Sequence, residues 1–438
     1  MTQQSDKQTE NLNDVATQAN KQGRTYILCI LLLVYTFNFI DRQILVILQE
    51  GIKADLGLSD MQLGLLTGFS FAIFYVTAGI PIANWADRSN RRNIMAGALT
   101  IWSGMTALSG MVTNYAQLVA ARVGVGIGEA GCSPPAHSMI SDMYERKERA
   151  TALSIYSTGI YLGIFAGFLI GGYVQEIYGW RMTFLIVGIP GILLALLMQL
   201  TVREPLRRRH RDDQGDNQTD KPPMIQTMRA IWRIRSFRYT AFGCAMAGFV
   251  AYGTGNFAPS YLARSHGMTP GEIGLVLSLI TGGGGMAGTF LGGYLTDKFG
   301  AHDKRWYQWL PAVGGIISLP LYLIAYLSGD ITYVLAALIL AILVSTVYLG
   351  PSIACAHMVV SPSQRAMASA LLFFVLNLIG LGLGPVVIGA VSDFLQPTYG
   401  TDGLRYALVL GSLFALIKSW LFYMSGKHLP DDVKETQA

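Results

Sequence analysis

Residues 26–49 read YILCILLLVYTFNFIDRQILVILQ, an apolar stretch long enough to cross a lipid bilayer, yet it contains Asp41 and Arg42. A second such stretch, residues 116–136 (AQLVAARVGVGIGEAGCSPPA), contains Arg122 and Glu129. Ionisable side chains are costly in hydrocarbon and usually serve a function where they occur. Two pairs of opposite charge in the same half of the chain therefore predict one buried site.

The composition is that of an integral membrane protein. The chain has 438 residues, a mean hydropathy of +0.40 and 13% charged residues, whereas soluble proteins average about 25% charged residues. Its net charge of +5 is explained by loop positions, so no nucleic-acid partner is expected. The four cysteines lie in apolar stretches and the six histidines are dispersed, so neither a disulfide nor a metal site is expected, and no cofactor.

Apolar stretches of about 20 residues, the length of a membrane-spanning helix, recur along the whole chain. We count twelve of them, near residues 25–48, 61–86, 93–112, 116–140, 149–175, 182–201, 239–262, 271–296, 306–328, 331–358, 366–392 and 403–425. Many of the 49 glycines fall inside these stretches, which is typical of helices that pack closely in lipid.

Basic residues set the predicted orientation. With the N-terminus inside, the inner segments hold 25 of the 32 Lys and Arg residues, and the outer loops hold only Lys53, Arg181, Arg264 and Arg405. This bias places both termini in the cytoplasm of a multi-pass protein of the cell (inner) membrane. The polar N-terminal segment has no apolar core and is not predicted to be a signal peptide.

The sequence thus predicts an all-α membrane protein with twelve transmembrane helices in two pseudo-symmetric six-helix bundles. The expected division is a disordered cytoplasmic tail (1–24), an N-terminal bundle (25–201), a cytoplasmic linker (202–238), a C-terminal bundle (239–426) and a cytoplasmic tail (427–438). The basic end of the linker, AIWRIRSFR, could alternatively lie on anionic lipid as an amphipathic segment.

The two halves resemble each other. Asp87 follows the second apolar stretch and Asp297 follows the eighth, an offset of 210 residues. Arg149 follows the fourth stretch and Arg365 follows the tenth, an offset of 216 residues. Duplicated halves are typical of secondary transporters, which bind their substrate between the halves near the middle of the membrane.

This arrangement resembles the major facilitator superfamily, whose inner loop between helices 2 and 3 carries G-x-x-x-D-R/K-x-G-R/K-R/K. The first copy here has both glycines replaced, and reads Ala83, Asp87, Arg88, Asn90, Arg91 and Arg92. The second copy keeps them, as Gly293, Asp297, Lys298 and Gly300. We expect a cytoplasmic gate made by Asp87, Arg88, Arg91, Asp142, Asp297 and Lys298, in which Arg91 bridges to Asp142 and latches the two halves while the outside is open. The alternative is a plain basic loop that only fixes topology.

The charged stretches resemble those of Spinster-type transporters. Residues 38–42 (NFIDR) are similar to the N-Y/F-x-D-R motif of that family, and residues 126–130 (GIGEA) are similar to its G-x-G-E-A motif, with the family arginine at Arg122. Spinster members transport sphingosine-1-phosphate and lysophospholipids. The resemblance therefore implies an amphipathic or lipid-like substrate, in a bacterial homologue.

Adjacent helical residues point about 100° apart, so Asp41 and Arg42 each need a partner on another helix. From the depths of the side chains we predict an Asp41–Arg122 pair, with Arg42 and Glu129 facing the cavity. Such a cluster could couple protons to transport if an arginine changed partners between conformations. The alternative is a static buried ion pair that fixes helix packing.

The C-terminal half offers few buried charges. Its expected contribution to the substrate cavity is an apolar, weakly polar wall made of Tyr252, Asn256, Tyr348, Phe373 and Asn377. With Arg42 and Glu129 on the opposite wall, this cavity suits an amphiphile.

The function predicted from the sequence is alternating-access secondary transport, proton-coupled, of an amphipathic or lipid-like substrate, by a monomer surrounded by membrane lipids. A multidrug or metabolite antiporter of the same fold and an uncoupled uniporter are the alternatives. A membrane-embedded enzyme is disfavoured because no nucleophile has an evident base, and a channel because the halves are duplicated.

Overall fold

The structure, a computed structural model, describes residues 2–205 and 224–437, without the side chains of residues 2–22, 80, 83, 87, 146, 363 and 436–437. The described residues are almost entirely helical and contain no β-strand. The helices are Thr2–Ile47, Gln49–Leu56, Asp60–Gly64, Leu65–Phe69, Ser70–Arg88, Arg91–Ser109, Tyr115–Glu129, Ser133–Met143, Arg146–Thr201, Met224–Arg233, Arg235–His266, Pro270–Leu277, Ser278–Gly284, Gly285–Gly300, Trp306–Leu327, Ile331–Ser345, Leu349–Met358, Pro362–Gln364, Arg365–Val375, Leu376–Leu383, Gly384–Tyr399, Gly400–Asp402, Gly403–Ser412 and Phe414–Gln437.

These helices group into twelve spans, numbered 1–12 in chain order: 23–47, 60–86, 91–109, 115–143, 147–178, 180–201, 235–266, 270–300, 306–327, 331–358, 365–399 and 403–435. Seven helical stretches among the described residues are long and apolar enough to cross a membrane. Two of the seven are double: Lys147–Thr201 reverses at Gly179 (φ 76°), and Arg365–Glu435 reverses at Gly400 (φ 58°). Positive φ favours glycine, which explains both reversals. The remaining crossings are spans 3, 4 and 7, which carry more polar residues and lie in residues 91–109, 115–143 and 235–266.

Duplication is visible in local structure. Span 2 begins with a capping box in which the Ser59 hydroxyl accepts from Gln62 N and the Gln62 side chain accepts from Ser59 N. Span 8 begins with the same arrangement, made by Thr269 and Glu272. Ser59 and Thr269 are 210 residues apart, the offset found for the loop aspartates. A capping box satisfies N–H groups that the first helical turn leaves without partners.

Glycine allows the spans to approach closely. In span 5, Gly159, Gly163, Gly167 and Gly171 all face span 1. A Cβ atom on Gly163 would lie 2.5 Å from the Thr36 carbonyl oxygen, so no larger residue fits without a shift. The small face therefore sets the packing within the N-terminal half, as the sequence pattern indicates.

The hydrophobic core has three parts. The largest cluster joins residues of both halves, such as Ile44 and Phe184 with Tyr261 and Tyr326. A second cluster lies in the N-terminal half around Trp102 and Tyr156, with Leu381 from the other half. A third lies within the C-terminal half. The halves therefore share most of their buried apolar contact near one end of the molecule.

The predicted linker and C-terminal tail contain helical residues where the structure describes them. The linker contains the helix Met224–Arg233, with Ile231 buried, while residues 206–223 lie outside the described residues. Residues 427–438 were expected to form a tail, but the helix Phe414–Gln437 continues through them with Leu429 and Val433 buried. Asp432 accepts from Ser236 N at 2.7 Å and so caps span 7, which anchors this segment.

The N-terminal tail was expected to be disordered over residues 1–24. The first helix is drawn from Thr2, and its side chains are described from Gly23 onwards. Because the side chains before Gly23 lie outside the described residues, disorder of the tail stays a prediction.

Candidate functional site

The buried charges of spans 1 and 4 meet as one cluster, although the pairing differs from our prediction. Arg42 Nε donates to Glu129 Oε2 at 2.7 Å. Asp41 and Arg122 form no ion pair within 4.0 Å among the described residues, so the predicted Asp41–Arg122 pair is wrong for this structure. Because neighbouring helical residues diverge by about 100°, Asp41 instead faces Trp102 and Thr106 of span 3.

Asp41 and Arg122 are almost completely buried, at 1% and 2% exposure. Both carboxylate oxygens of Asp41 lack a hydrogen-bond partner among the described residues, as do Nε and Nη1 of Arg122. Oε1 of Glu129 is also without a partner there. Buried charged groups are costly unless they are paired and hydrogen-bonded. A network that served only to stabilise the fold would be expected to pair its charges more completely than this cluster does.

Aromatic rings surround the Arg42 guanidinium. Its Cζ atom lies 4.9 Å from the ring centroid of Phe39, 4.7 Å from that of Phe71 and 5.0 Å from that of Tyr75. Only Nε donates a hydrogen bond among the described residues, and 17% of the side chain is exposed. The group is therefore held in place by one carboxylate and three rings while its Nη atoms stay available to an anion.

A break in span 4 positions Glu129. The first helix of this span ends at Glu129 and the next begins at Ser133. Pro134 and Pro135 have no N–H to donate, so the helix cannot continue through residues 130 and 131. The break leaves Glu129 at a helix end, opposite Arg42 of span 1.

The predicted residues of the opposite wall are spread over several helices. Tyr252 of span 7 lies near Arg42 and packs against core clusters of both halves. Asn256 is one turn further along and 8% exposed. Tyr348 lies at the break in span 10, Phe373 is 37% exposed, and Asn377 lies in the π-helical segment Leu376–Leu383, which contacts span 2. Of the five residues predicted for this wall, only Tyr252 lies next to the charged cluster in the part of the chain that the structure describes.

The predicted inner gate is partly formed within one half. Arg91 donates to Asp142 at 2.5 Å, as expected, and also to Glu204 at 2.7 Å. Arg91 and Asp142 belong to the N-terminal half and Glu204 to the start of the linker, so these contacts do not latch the two halves together here. Arg88 and Lys298 are exposed, and Asp297 accepts from the Tyr307 hydroxyl at 3.4 Å. The Asp87 side chain lies outside the described residues.

Ion pairs between the halves occur at the opposite end, called the outer end below according to the orientation predicted from the sequence. Arg264 of span 7 donates to Glu50 and Asp60, with Nη2 2.7 Å from Glu50 Oε1 and 2.8 Å from Asp60 Oδ1. Lys53 also contacts Asp60, and Ser392 of span 11 donates to it at 2.6 Å. Among the described residues, all ion pairs that cross between the halves are made by Arg264.

Two further contacts at the outer end join the halves, because a side chain of one half caps a helix of the other. Asp393 of span 11 accepts from Asp60 N at 2.9 Å and Met61 N at 2.8 Å, at the N-terminus of span 2. Glu176 of span 5 accepts from Gly271 N at 2.7 Å, at the N-terminus of span 8. This outer closure was not predicted from the sequence. Acidic residues at the ends of spans 5 and 11 were its only signal, and their partners are backbone groups that no sequence pattern displays.

Comparison with known proteins agrees with this architecture. The sequence model of the Major Facilitator Superfamily matches residues 31–385 and 240–437. An "MFS-type efflux pump" of Mycolicibacterium smegmatis is 34% identical over 413 residues, 93% of each chain. The "Sphingosine-1-phosphate transporter SPNS2" of Danio rerio is 26% identical over 411 residues, 89% of this chain and 81% of that protein.

A solved structure is also similar. It is a bacterial homologue of the human lysosomal transporter Spinster, described as inward-facing and unoccupied, with a TM-score of 0.85 and 34% identity over 94% of this chain and 98% of that one. The fold is that of a membrane transporter built from duplicated halves, and the chain belongs to the Major Facilitator Superfamily. The resemblance to Spinster predicted from residues 38–42 and 126–130 is confirmed.

Proposed function

We propose that this protein is a proton-coupled transporter of an amphipathic, lipid-like anion that works by alternating access. The observation that carries the proposal is the way the buried charges of spans 1 and 4 are paired. Arg42 is bound to Glu129 and enclosed by three rings, while Asp41 and Arg122 are buried and form no ion pair within 4.0 Å among the described residues. The similarity to the sphingosine-1-phosphate transporter of Danio rerio supports a lipid-like substrate.

The proposed coupling is an exchange of partners at Arg42. Glu129 Oε1 has no partner among the described residues, so a proton added there would neutralise the carboxylate and weaken its bond to Arg42. Arg42 would then be released to hold an anionic headgroup, with the rings of Phe39, Phe71 and Tyr75 beside the apolar part of the ligand. Asp41 would supply a second protonation site at similar depth.

The proposed movement is a rocking of the halves that opens the outer end. The contacts of Arg264, Glu176 and Asp393 would have to break, while the inner ends approach. We assign the form described here to the inward-facing state, as in the similar solved structure, with both termini in the cytoplasm of a bacterial inner membrane.

A multidrug or metabolite antiporter is the alternative with specific support. The efflux pump of Mycolicibacterium smegmatis is more similar to this chain than the sphingosine-1-phosphate transporter is. The same charged cluster would then couple protons to a substrate without a lipid tail. An uncoupled uniporter would retain the fold and use the cluster only for packing.

The test is transport by purified protein in vesicles with an imposed pH gradient. Three fluorescent probes separate the possibilities: an acyl-labelled lysophosphatidylglycerol, the zwitterionic lysophosphatidylcholine with the same label, and the cation ethidium. We expect gradient-dependent movement of the anionic lysolipid that a protonophore abolishes. Movement of ethidium alone would support the antiporter alternative, and transport of the lysolipid that ignores the gradient would contradict proton coupling.

A further inference from the structure

Span 10 is interrupted at the same place as span 4. Its first helix is Ile331–Ser345 and its second begins at Leu349, whereas those of span 4 are Tyr115–Glu129 and a helix from Ser133. A shift of 216 residues superimposes both ends of the first helix and the start of the second. Pro351 corresponds to Pro135 under this shift and explains the second break by the same missing N–H.

A buried lysine occupies the break in span 10. Lys418 of span 12 is 2% exposed, and its Nζ atom donates to the Ser345 carbonyl oxygen at 3.2 Å. Ser345 is the last residue of its helix, so its carbonyl is among those that a helix leaves without an internal partner. A cation at a helix C-terminus is stabilising. No carboxylate lies within 4.0 Å of Lys418 among the described residues.

Lys418 also lies close to Tyr348, an aromatic residue at the break. Its Nζ atom lies 5.6 Å from the ring centroid of Tyr348, the last residue of the turn. Tyr348 lies near Tyr252, and Tyr252 lies near Arg42. Tyr348 and Tyr252 thus lie in the region between the cations of the two halves, and the position of the Tyr348 ring depends on how the break is held.

We propose that Lys418 is a positioning residue for transport, which holds span 10 in its broken form and thereby fixes Tyr348 at the C-terminal wall of the cavity. The proposal rests on the alternating-access function proposed above. Without the ammonium group, the Ser345 carbonyl loses its donor and the broken form is destabilised. Because Pro351 interrupts the helix in every form, Lys418 stabilises the particular arrangement of the break seen here with the outer end closed, and its loss makes this form less populated.

The experiment measures the closure of the outer end directly, so it needs no substrate. Spin labels are placed on cysteines at Met111, in the turn before span 4, and at Tyr333, in the first turn of span 10, which are 68% and 64% exposed. The exposed native Cys29 is replaced by serine. We expect Lys418→Met to raise the ratio of long to short label distances by about ten-fold, and Lys418→Arg to restore the wild-type distribution.

Two comparisons separate positioning from a general loss of packing. Ser419→Ala removes a buried hydroxyl beside Lys418 that bonds only within its own helix, and should leave the distances unchanged. Tyr348→Leu should shift the distances in the same direction as Lys418→Met, and the double variant should add little further. Wild-type distances in Lys418→Met, additive shifts in the double variant, or an equal effect of Ser419→Ala would overturn the proposal.

If Lys418→Met is unstable, Lys418→Gln keeps a hydrogen-bond donor without the charge, and should give a shift between those of the methionine and arginine variants. A wild type that moves none of the three fluorescent probes would contradict the proposed function, while these distances would still decide the role of Lys418. In vesicles that transport the lysolipid, Lys418→Met should lower the maximal rate more than it raises KM.

Discussion

Glu176 and Asp393 lie in opposite halves of the protein, 217 residues apart, and each caps a helix N-terminus that belongs to the other half. Their carboxylates accept backbone N–H groups of spans 8 and 2, where the positive end of the helix dipole adds to the attraction. The contacts are reciprocal because the halves are duplicated. The outer end is thus closed by the same kind of cap made twice, and Arg264 adds ion pairs to Glu50 and Asp60 at this end.

Removing these two carboxylates should open the outer end. Asp393→Asn combined with Glu176→Gln keeps the shape of both side chains but removes the charge at each helix N-terminus. If each is worth about 0.5–1 kcal/mol, the ratio of open to closed forms should rise by about ten-fold. The spin labels at positions 111 and 333 measure it. Glu272→Gln is the matched control, because Glu272 caps span 8 from within its own half; an equal shift in that variant would contradict the account.

Glycines on span 2 should matter only where the halves touch. A Cβ atom on Gly64 would meet the backbone of Pro385, and one on Gly68 would lie 2.8 Å from the Gly382 carbonyl oxygen. Gly64→Ala and Gly68→Ala should therefore push spans 2 and 11 apart and lengthen the outer label distance. Gly79→Ala on the same span has open space and should leave it unchanged. Unaltered distances in Gly64→Ala would show that this contact does not set the closure.

The ring enclosure of Arg42 should be needed beyond its charge. Arg42→Lys retains the positive charge but loses the planar group that stacks on Phe71 and Tyr75. With about 1–2 kcal/mol at stake, we expect a five- to thirty-fold fall in lysolipid transport. Arg24→Lys is the control. The Arg24 guanidinium also lies over an aromatic ring, 5.1 Å from the Tyr144 ring centroid, but it makes no contact with the charged cluster among the described residues. If Arg42→Lys transported the lysolipid at the wild-type rate, the rings around Arg42 would have no role in binding and this prediction would be contradicted.

The fold could be predicted from the sequence because apolar length, basic loops and internal offsets each report it independently. The members of the charged cluster could be predicted because charge in hydrocarbon is rare. Their pairing could not, since it depends on the rotation of span 1 and on the break in span 4. Pro134 and Pro135, and Pro351 in span 10, are the sequence features from which the two breaks could have been predicted. The outer closure escaped prediction because its acceptors meet backbone groups from distant parts of the chain.

The lysine in span 12 was visible in the sequence as a charge inside an apolar stretch. Nothing in the sequence gave its partner, because the Ser345 carbonyl is freed only by the break in another span. The packing of the C-terminal tail could not be predicted for a similar reason. Its polar composition conceals Leu429 and Val433, which pack against the core once Asp432 has capped span 7.

The central claim is that protons act through Asp41 and Glu129. The most direct measurement is the distribution of the 111–333 label distance in acidic and in alkaline buffer, for the wild type, Asp41→Asn and Glu129→Gln. Glu148→Gln, a partly exposed carboxylate outside the cluster, is the control and should behave as the wild type. We predict that the wild-type distribution shifts with pH, and that Asp41→Asn and Glu129→Gln each hold the acidic distribution at both pH values, because a neutral side chain mimics the protonated one. If both variants fold normally and keep the wild-type response to pH, the cluster is a structural ion-pair network and proton coupling through it is contradicted.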